Sequence, residues 1–539
     1  MQPRDASRLE SGRFDLLVVG GGIYGLAIAY EASSRGLSTA LIEAADFGSG
    51  ISFNHQKTAH GGLRSLQSLR LDRARESIRE RRALARIAPW FIHSLPFIVG
   101  TYRSVTKGRL ALRAGFKLDA WLARDRNQGV ERELHLPPAK LLSRGMTLKL
   151  FHGVRQQNLT GGAQWYDYQM VENDRLTFAF AAAADAHGCV LANYVEAVAA
   201  VREGDRITGM TARDRETGRQ LTIRAAITVN TAGARAGEVA AMFGARPAVP
   251  LLAAMNLVTS IPAKEIALAA PTAAGRMLTL VPWKGHSIVG TAHGDALATT
   301  AAGASSAEID AFVREANEAF PALGLTRGRI TLVHWGLVPA AVTPGRPPDL
   351  LDTPRIHDHA KDGALGAMTV IGVKYTTARA VAQRAIDAAS SRLGRRVRAS
   401  RTSVAVLPGA GLADHEGLAI ETARRAGLDL PPVVLQRLGA LYAERSAEIV
   451  RLMTARPELR ALLGAHPAAT AAEVVHVIHE EMAVHLSDII VRRLAVGATG
   501  HPGTSVLKEC ATVAAPELGW SDEQKAEEIA AVEAIYSVP

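Results

Sequence analysis

Gly20, Gly22 and Gly25 stand in a G-x-G-x-x-G spacing within the run Gly20-Gly21-Gly22-Ile23-Tyr24-Gly25, and an acid, Glu43, follows at the end of the next apolar segment. Each position has a chemical reason. The first glycine permits a tight turn, the second lets the backbone approach a pyrophosphate, and the third allows a helix to pack closely on a strand. A helix opening at Ile23 and Tyr24 turns its amide dipoles toward phosphate oxygens. An acid placed like Glu43 accepts hydrogen bonds from the ribose hydroxyls of an adenosine. These residues point to a bound dinucleotide, and by themselves they do not separate FAD from NAD.

The elements that must position them are legible nearby. Phe14 to Val19 is a short β-rich apolar run, Leu26 to Ser34 carries the small and apolar residues of a sheet-packed helix, Gly36 caps it, and Leu37 to Ile42 reads as a second strand ending at Glu43. With 539 residues the chain is long enough for two or three folding units. An apolar fraction of 48% with 21% charged residues is that of a globular protein. Cys189 and Cys510 are the two cysteines, so there is no disulfide framework and a cytoplasmic setting is expected. A net charge of +10 favours anionic partners such as phosphorylated substrates or lipid head groups. No nucleic-acid module is recognisable, and nucleic acid is not an expected partner. No uninterrupted apolar run reaches the length of a membrane span. Leu16 to Tyr30 resembles a signal segment superficially, but its flank mixes acids with bases and glycines interrupt it.

Residues 47–64, Phe-Gly-Ser-Gly-Ile-Ser-Phe-Asn-His-Gln-Lys-Thr-Ala-His-Gly-Gly-Leu-Arg, resemble the flavin-contacting loop of FAD-dependent glycerol-3-phosphate dehydrogenases, with Lys57 and His60-Gly61-Gly62-Leu63-Arg64 carrying the likeness. Asp174-Arg175-Leu176, Val229 to Ala234, Ile371 to Arg379 and Leu407-Pro408-Gly409 are similar to later segments of that family, in the family's order. The resemblance implies an α/β fold: a Rossmann-like FAD-binding domain, an interleaved α+β substrate domain and a C-terminal helical domain. The implied divisions are 12–90, 171–235 and 351–395 for the FAD-binding domain, 91–170 for a connecting and membrane-facing region, 236–350 for the substrate domain and 400–539 for the helical domain.

It further implies FAD lying extended, its adenosine at Glu43 and its isoalloxazine between residues 52–64 and 372–377. The implied cofactor contacts are Gly20, Gly22, Ile23, Tyr24, Gly25, Glu43, Ser52, Lys57, His60, Gly61, Gly62, Leu63, Val195, Thr231, Ala232, Gly233, Gly372, Lys374, Tyr375 and Thr376. The implied reaction is hydride transfer from a secondary alcohol to flavin N5, with glycerol 3-phosphate or a related polyol phosphate becoming its ketone. Arg64, Lys374 and Arg355 are the candidate phosphate-holding cations and His60 a proton-moving group, since guanidinium binds oxyanions bidentately and ammonium acts as a point charge. A quinone or other electron carrier, a homodimeric partner and a peripheral position on the inner membrane face are the implied associations. The basic stretch Arg103 to Arg126, interleaved with Leu110, Phe116, Leu118 and Trp121, is the candidate membrane-facing helix.

Four departures bear on substrate. Ser65 stands where the family usually has Tyr, and Gly336-Leu337-Val338-Pro339 stands where it has Gly-Val-Arg-Pro, so a phosphate-binding arginine is missing. Losing such a partner weakens binding by about 1.5 to 3 kcal/mol, about tenfold to a hundredfold. Phe53, Asn54, His55 and Gln56 replace a Ser-rich stretch, and Ala253-Ala254-Met255-Asn256 replaces a polar strand. They keep open a different hydroxy, amine or specialised-metabolite substrate, or flavin binding without dehydrogenase activity. Trp283, His286, His293, His334 and Trp335 are read chiefly as core or surface residues on strands. His476, His479 and Glu480 share helical spacing but lack a fourth donor, so they are read as exposed polar residues and no metal is expected. Long helices are anticipated over Pro432 to Thr454 and Ala471 to Val496.

Overall fold

The fold was described from a computed structural model covering residues 1, 3–63, 70–103, 109–245, 249–298, 303–464 and 469–539. In chain order its strands are β1 (Arg13–Val19), β2 (Thr39–Ile42), β3 (Thr58–Ala59), β4 (Ile92–Tyr102), β5 (Lys140–Leu142), β6 (Leu159–Met170), β7 (Val190–Ala192), β8 (Val195–Glu203) and β9 (Arg206–Asp214). They continue as β10 (Gln220–Asn230), β11 (Leu251–Thr259), β12 (Ala267–Pro271), β13 (Met277–Trp283), β14 (His286–His293), β15 (Ile330–Ala341), β16 (Asp349–Leu350), β17 (Arg355–Asp358) and β18 (Ala367–Ile371).

Two sheets organise these strands. The first has the order β17-β18-β10-β1-β2-β7, with the β8–β9 ribbon continuing from β10. Its centre, β18-β10-β1-β2-β7, is parallel, while β17 closes the edge antiparallel. Parallel strands are covered on both faces, which is why β1 and β2 are nearly continuous apolar runs rather than alternating ones. The helices Ile23–Ser34, Asn173–Ala186 and Ala378–Leu393 share one core with the strand residues Leu16, Val18, Leu41, Ile227, Val229 and Val370. Leu17, Val19, Ala40, Ile42 and Ala225 join a separate core on the other side with Leu9, Phe243 and the β8–β9 ribbon.

The second sheet runs β16-β15-β11-β14-β13-β12-β4-β6-β3, with β5 beside β6. The stretch 91–170, anticipated as a connecting region, supplies β4, β5 and β6 to it, because Ile92 to Tyr102 finds its long antiparallel partner in Leu159 to Met170. The anticipated basic helix forms over Arg109–Leu122, with Trp121 61% exposed.

The C-terminal helices gather their apolar faces into one core that also takes in Val258, Trp283, Ile288 and Leu332 of the second sheet and Phe53. Two anticipated long helices are interrupted. Pro432–Tyr442 and Ser446–Ala455 are separated by a 3₁₀ turn, and Ala471–Glu481 is followed by a π-helical turn at Asp488–Arg493. The second break follows a charged register that tertiary ion pairs satisfy: Asp46 binds Arg492 and Arg493, and Glu481 binds Arg175. His476 corrects the expectation of an exposed side chain. It is fully buried against Tyr442, whereas His479 is half-exposed and 2.7 Å from Glu517.

Candidate functional site

The carboxyl end of β1 enters the glycine turn directly. Gly20 adopts φ +109°, a backbone region reserved for glycine, and Gly22 caps the following helix without side-chain help. At Gly25 an added Cβ would lie 1.8 Å from the Gly20 carbonyl oxygen, so helix and turn are as close as a residue without a side chain permits. Thr231, beyond β10, fastens the turn by donating its hydroxyl to the carbonyls of Val19 and Gly20, 2.9 Å from each. Ala232 N–H donates to Asn230 Oδ1 at 3.1 Å, and Gly233 opens the next helical turn.

Glu43 follows β2 and faces the same turn. Its carboxylate accepts from Gly21 N–H at 2.5 Å and Ala45 N–H at 2.8 Å. Burial raises its pKa, and these two amides act in the opposite direction. Val195 N–H donates to the Glu43 carbonyl at 2.7 Å, fixing the adjoining strand. Ser52 reaches the amino terminus of the first helix, its Oγ accepting from Ile23 N–H at 2.9 Å. A cradle that any Cβ would fill, a helix amino terminus beside it and an acid at the strand end together fit a dinucleotide such as FAD, held by Gly20, Gly22, Ile23, Gly25, Glu43 and Ser52.

Tyr24 brings the late loop to this cradle. Its hydroxyl accepts from the Val373 and Lys374 amides at 3.1 and 3.2 Å and donates to the Lys374 carbonyl at 2.8 Å, while its ring leaves no room for a side chain at Gly372. Thr376 accepts from His60 N–H at 3.2 Å, and Tyr375 meets Thr177 at 2.9 Å and stacks obliquely on His55. The late segment therefore lies against the early loop. Lys374 also lines a cleft of about 830 Å³ between the helices Leu71–Ile87 and Ala378–Leu393.

His60 is half-exposed and held from both sides. Nδ1 lies 3.2 Å from Asp167 Oδ2, and Nε2 lies 2.8 Å from Thr58 Oγ1. Asp167, on β6, also accepts from Gly61 N–H at 2.7 Å and from Arg81. Burial alone would raise this carboxyl, but His60, Arg81 and the Gly61 amide hold it below its ordinary value. The result is an imidazole oriented by a buried carboxylate, an arrangement suited to accepting a proton. Sequence inspection missed Asp167 and Arg81. The available signal was an acid inside the aromatic run Trp165-Tyr166-Asp167-Tyr168.

Lys57 is fully buried, with φ +55°, and donates to the Phe53 carbonyl. Its ammonium sits 4.0 Å from the centroid of Phe53 and 4.9 Å from that of Trp283. His55 bonds Asn173 at 2.9 Å and accepts the Lys57 amide at 3.0 Å; burial, then Lys57, pulls its pKa down to about 3. Gly62 and Leu63 continue this loop toward the helix Leu71–Ile87, Gly62 with φ +81°. Arg64 and Ser65 lie outside the described residues. Arg355 opens β17 opposite Ile371 with its side chain exposed, beside the late loop and not inside the cradle.

The model for FAD dependent oxidoreductases matches residues 15–388, and that for the C-terminal domain of alpha-glycerophosphate oxidase matches residues 400–525. A glycerol-3-phosphate dehydrogenase of Mycobacterium leprae is 32% identical over 531 residues, covering 97% of this chain and 88% of the relative. One from Synechocystis sp. is 31% identical over 547 residues, covering 97% and 96%. Among solved structures, the FAD complex of a Bacillus halodurans glycerol-3-phosphate dehydrogenase superposes with a TM-score of 0.75 at 22% identity, covering 98% of this chain and 96% of that one, a likeness of fold.

Proposed function

The chain belongs to the FAD-dependent glycerol-3-phosphate dehydrogenase family, an oxidoreductase family with FAD as cofactor, and from that premise we propose that it oxidises the secondary alcohol of glycerol 3-phosphate to the ketone. The observation that carries the proposal is the His60–Asp167 pair standing beside the Gly372–Thr376 loop, which Tyr24 in turn fastens to the glycine cradle. FAD, when bound, supplies the hydride acceptor at N5. The chain's own residues do the rest. His60 accepts the hydroxyl proton at Nε2, and Asp167 steadies the ring through Nδ1–H as positive charge develops. Lys374, Arg355 and Arg64 hold the phosphate, and Lys57 keeps the early loop in place from beneath. Gly61, Gly62 and Leu63 would contact FAD when it is bound.

Electrons leave to a quinone or another carrier at the cytoplasmic membrane face. Supporting a peripheral position are the exposed Trp121 on the basic helix Arg109–Leu122 and the net charge of +10. No helix among the described residues is long and apolar enough to cross a membrane.

A second reading keeps the flavin and changes the substrate to another hydroxy acid or an amine. It is favoured by Val338, half-buried on β15 where an arginine would be expected. Anaerobic mixing with glycerol 3-phosphate separates the two. Bleaching of the oxidised flavin band supports the first reading. A protein that stays yellow with glycerol 3-phosphate, but bleaches with a hydroxy acid or an amine, establishes the second.

A further inference from the structure

At the edge of the first sheet, where β17 runs beside β18, three potential metal donors converge. His357 lies in β17 opposite Thr369, and His359 and Asp362 belong to the 3₁₀ turn that follows, closed by Gly363 at φ +77°. The two imidazoles aim at one carboxylate oxygen: Asp362 Oδ2 lies 2.6 Å from His357 Nε2 and 2.8 Å from His359 Nδ1. Among the described residues this is the group of three such side chains whose ligand atoms all lie within 4.8 Å of one another.

The turn is built to hold this arrangement. His359 is fully buried, and its Nε2 lies 2.7 Å from Thr369 Oγ1, which in turn accepts from Asn230 Nδ2 at 3.2 Å. Such an outer contact fixes which ring nitrogen is presented outward, as it does behind metal-binding histidines. Phe243 flanks the same ring, and Asp358 Oδ1 accepts from Ala360 N–H at 3.0 Å. On the open side His357 and Asp362 keep 44% and 34% of their side-chain surface exposed, leaving access for water as a further ligand. The neighbouring cations are partly engaged: Arg392 pairs with Asp358 at 2.5 Å, and Arg202 donates to the Gly363 carbonyl at 3.1 Å.

We propose that His357, His359 and Asp362 form a surface binding site for a divalent transition cation of the zinc class. Two neutral imidazoles and one carboxylate suit zinc, nickel or copper and not magnesium or calcium, which prefer all-oxygen shells. Tetrahedral coordination at about 2.0–2.2 Å places donors about 3.3–3.6 Å apart, so the present spacing must open by about half an ångström to one, within reach of a rotating carboxylate. The site is independent of the oxidoreductase reading.

The test uses the full flavin-loaded chain without a histidine tag, cleared with chelator and titrated calorimetrically with Zn²⁺, with Mg²⁺ and Ca²⁺ in parallel. One equivalent of Zn²⁺ is expected to bind, with no heat from the other two ions. His357→Ala and Asp362→Asn, both at exposed positions and checked for folding by circular dichroism, are each expected to weaken it by about a hundredfold, since even lost outer partners cost tenfold or more. His479→Ala is expected to leave it unchanged. Absence of Zn²⁺ binding, equal binding of Mg²⁺, or Zn²⁺ affinity unaltered in both ligand variants would overturn the proposal.

Discussion

Replacing Lys57 by methionine should make the protein more stable at neutral pH and worse at holding its cofactor. The ammonium is fully buried, and burial, aggravated by Lys284 and opposed by Asp174, lowers its pKa from 10.5 to about 8. At about 1.36 kcal/mol per pKa unit, that interval corresponds to about 3 kcal/mol by which the charged form is disfavoured in the folded protein. At pH 7 lysine is protonated whether the chain is folded or unfolded, so the full cost is present. Between pH 8 and 10.5 the folded protein has lost the proton while the unfolded chain keeps it. Stability therefore rises with pH across that window. His55, pushed to about 3, and His334, which burial holds well below the ordinary imidazole range, stay neutral throughout and add nothing to it. Methionine has no charge to desolvate and keeps the contacts with Phe53 and Trp283. Chemical denaturation of both proteins at pH 7 and pH 10.5 should show the variant ahead by up to about 3 kcal/mol at the lower pH and the gap closed at the higher. Flavin affinity, read by fluorescence, should fall in the variant, because stability given up for a buried charge is characteristic of functional positions. A variant that is less stable than the parent at pH 7, or a gap that does not change with pH, would refute the reasoning.

Asp167→Asn removes the carboxylate that orients His60 and leaves Arg81 without its charge partner; flavin reduction in stopped flow should slow by about 10²–10⁴-fold with flavin content retained. Arg175→Met removes the two short bonds, 2.6 and 2.8 Å, that hold the buried Glu481 and leaves it the longer contact with Arg445 at 3.3 Å, and should cost up to about 3–5 kcal/mol in thermal or urea unfolding. Glu481 is held to about 2 by Arg175 despite burial, so in the parent this stability is present above pH 4.5 and fades as pH falls toward 2, a decline that the variant should lack. Val338→Arg should lower the KM for glycerol 3-phosphate by about tenfold to a hundredfold if the phosphate lies beside β15, and an unchanged KM would place the phosphate elsewhere.

The cofactor cradle was legible in sequence because its constraints are local: glycines within six residues of one another, a strand before them and an acid after the next strand. The proposed general base was only half legible. His60 stands in a recognisable run, but Asp167 comes within reach only because Ala59 pairs with Tyr168 across β3 and β6, a register that no short-range pattern encodes. The same limit hid the role of the C-terminal helices. Asp46, three residues beyond Glu43, is held to about 2 by Arg493 and Arg492, overcoming burial that would raise it, and those arginines lie more than four hundred positions later. The amphipathic pattern of Ala471 to Val496 suggested a continuous helix with an exposed polar face. Tertiary ion pairs and a buried His476 decided otherwise, as contacts commonly override propensity.

The departures from the family pattern, scattered along the sequence, meet in space. Phe53 packs edge-on to His334 at 5.1 Å, and Asn54 Nδ2 donates to the Trp335 carbonyl at 2.7 Å. Ile51 fills the space that a side chain at Gly336 would need, with its Cδ1 2.2 Å from where that Cβ would stand. Gln56 accepts from Thr279 Oγ1 at 2.7 Å, on β13 beyond β11 and β14. On the partner strand Ala253 lies opposite Leu337, Ala254 opposite Gly336, Met255 opposite Trp335 and Asn256 opposite His334. Unrelated drift would place such changes without regard to contact. Here Ile51 packs where Gly336 has no side chain and Phe53 packs against His334, so the altered loop and the strands constitute one packing solution. The loop also carries Lys57 and leads into His60, which means that the wall of β11 and β15 and the groups set beside the cofactor are mechanically one unit. Restoring a single residue such as an arginine at position 338 therefore tests phosphate binding within an altered wall, and a full return to the family's pocket requires changing residues 53–56 and 253–256 together.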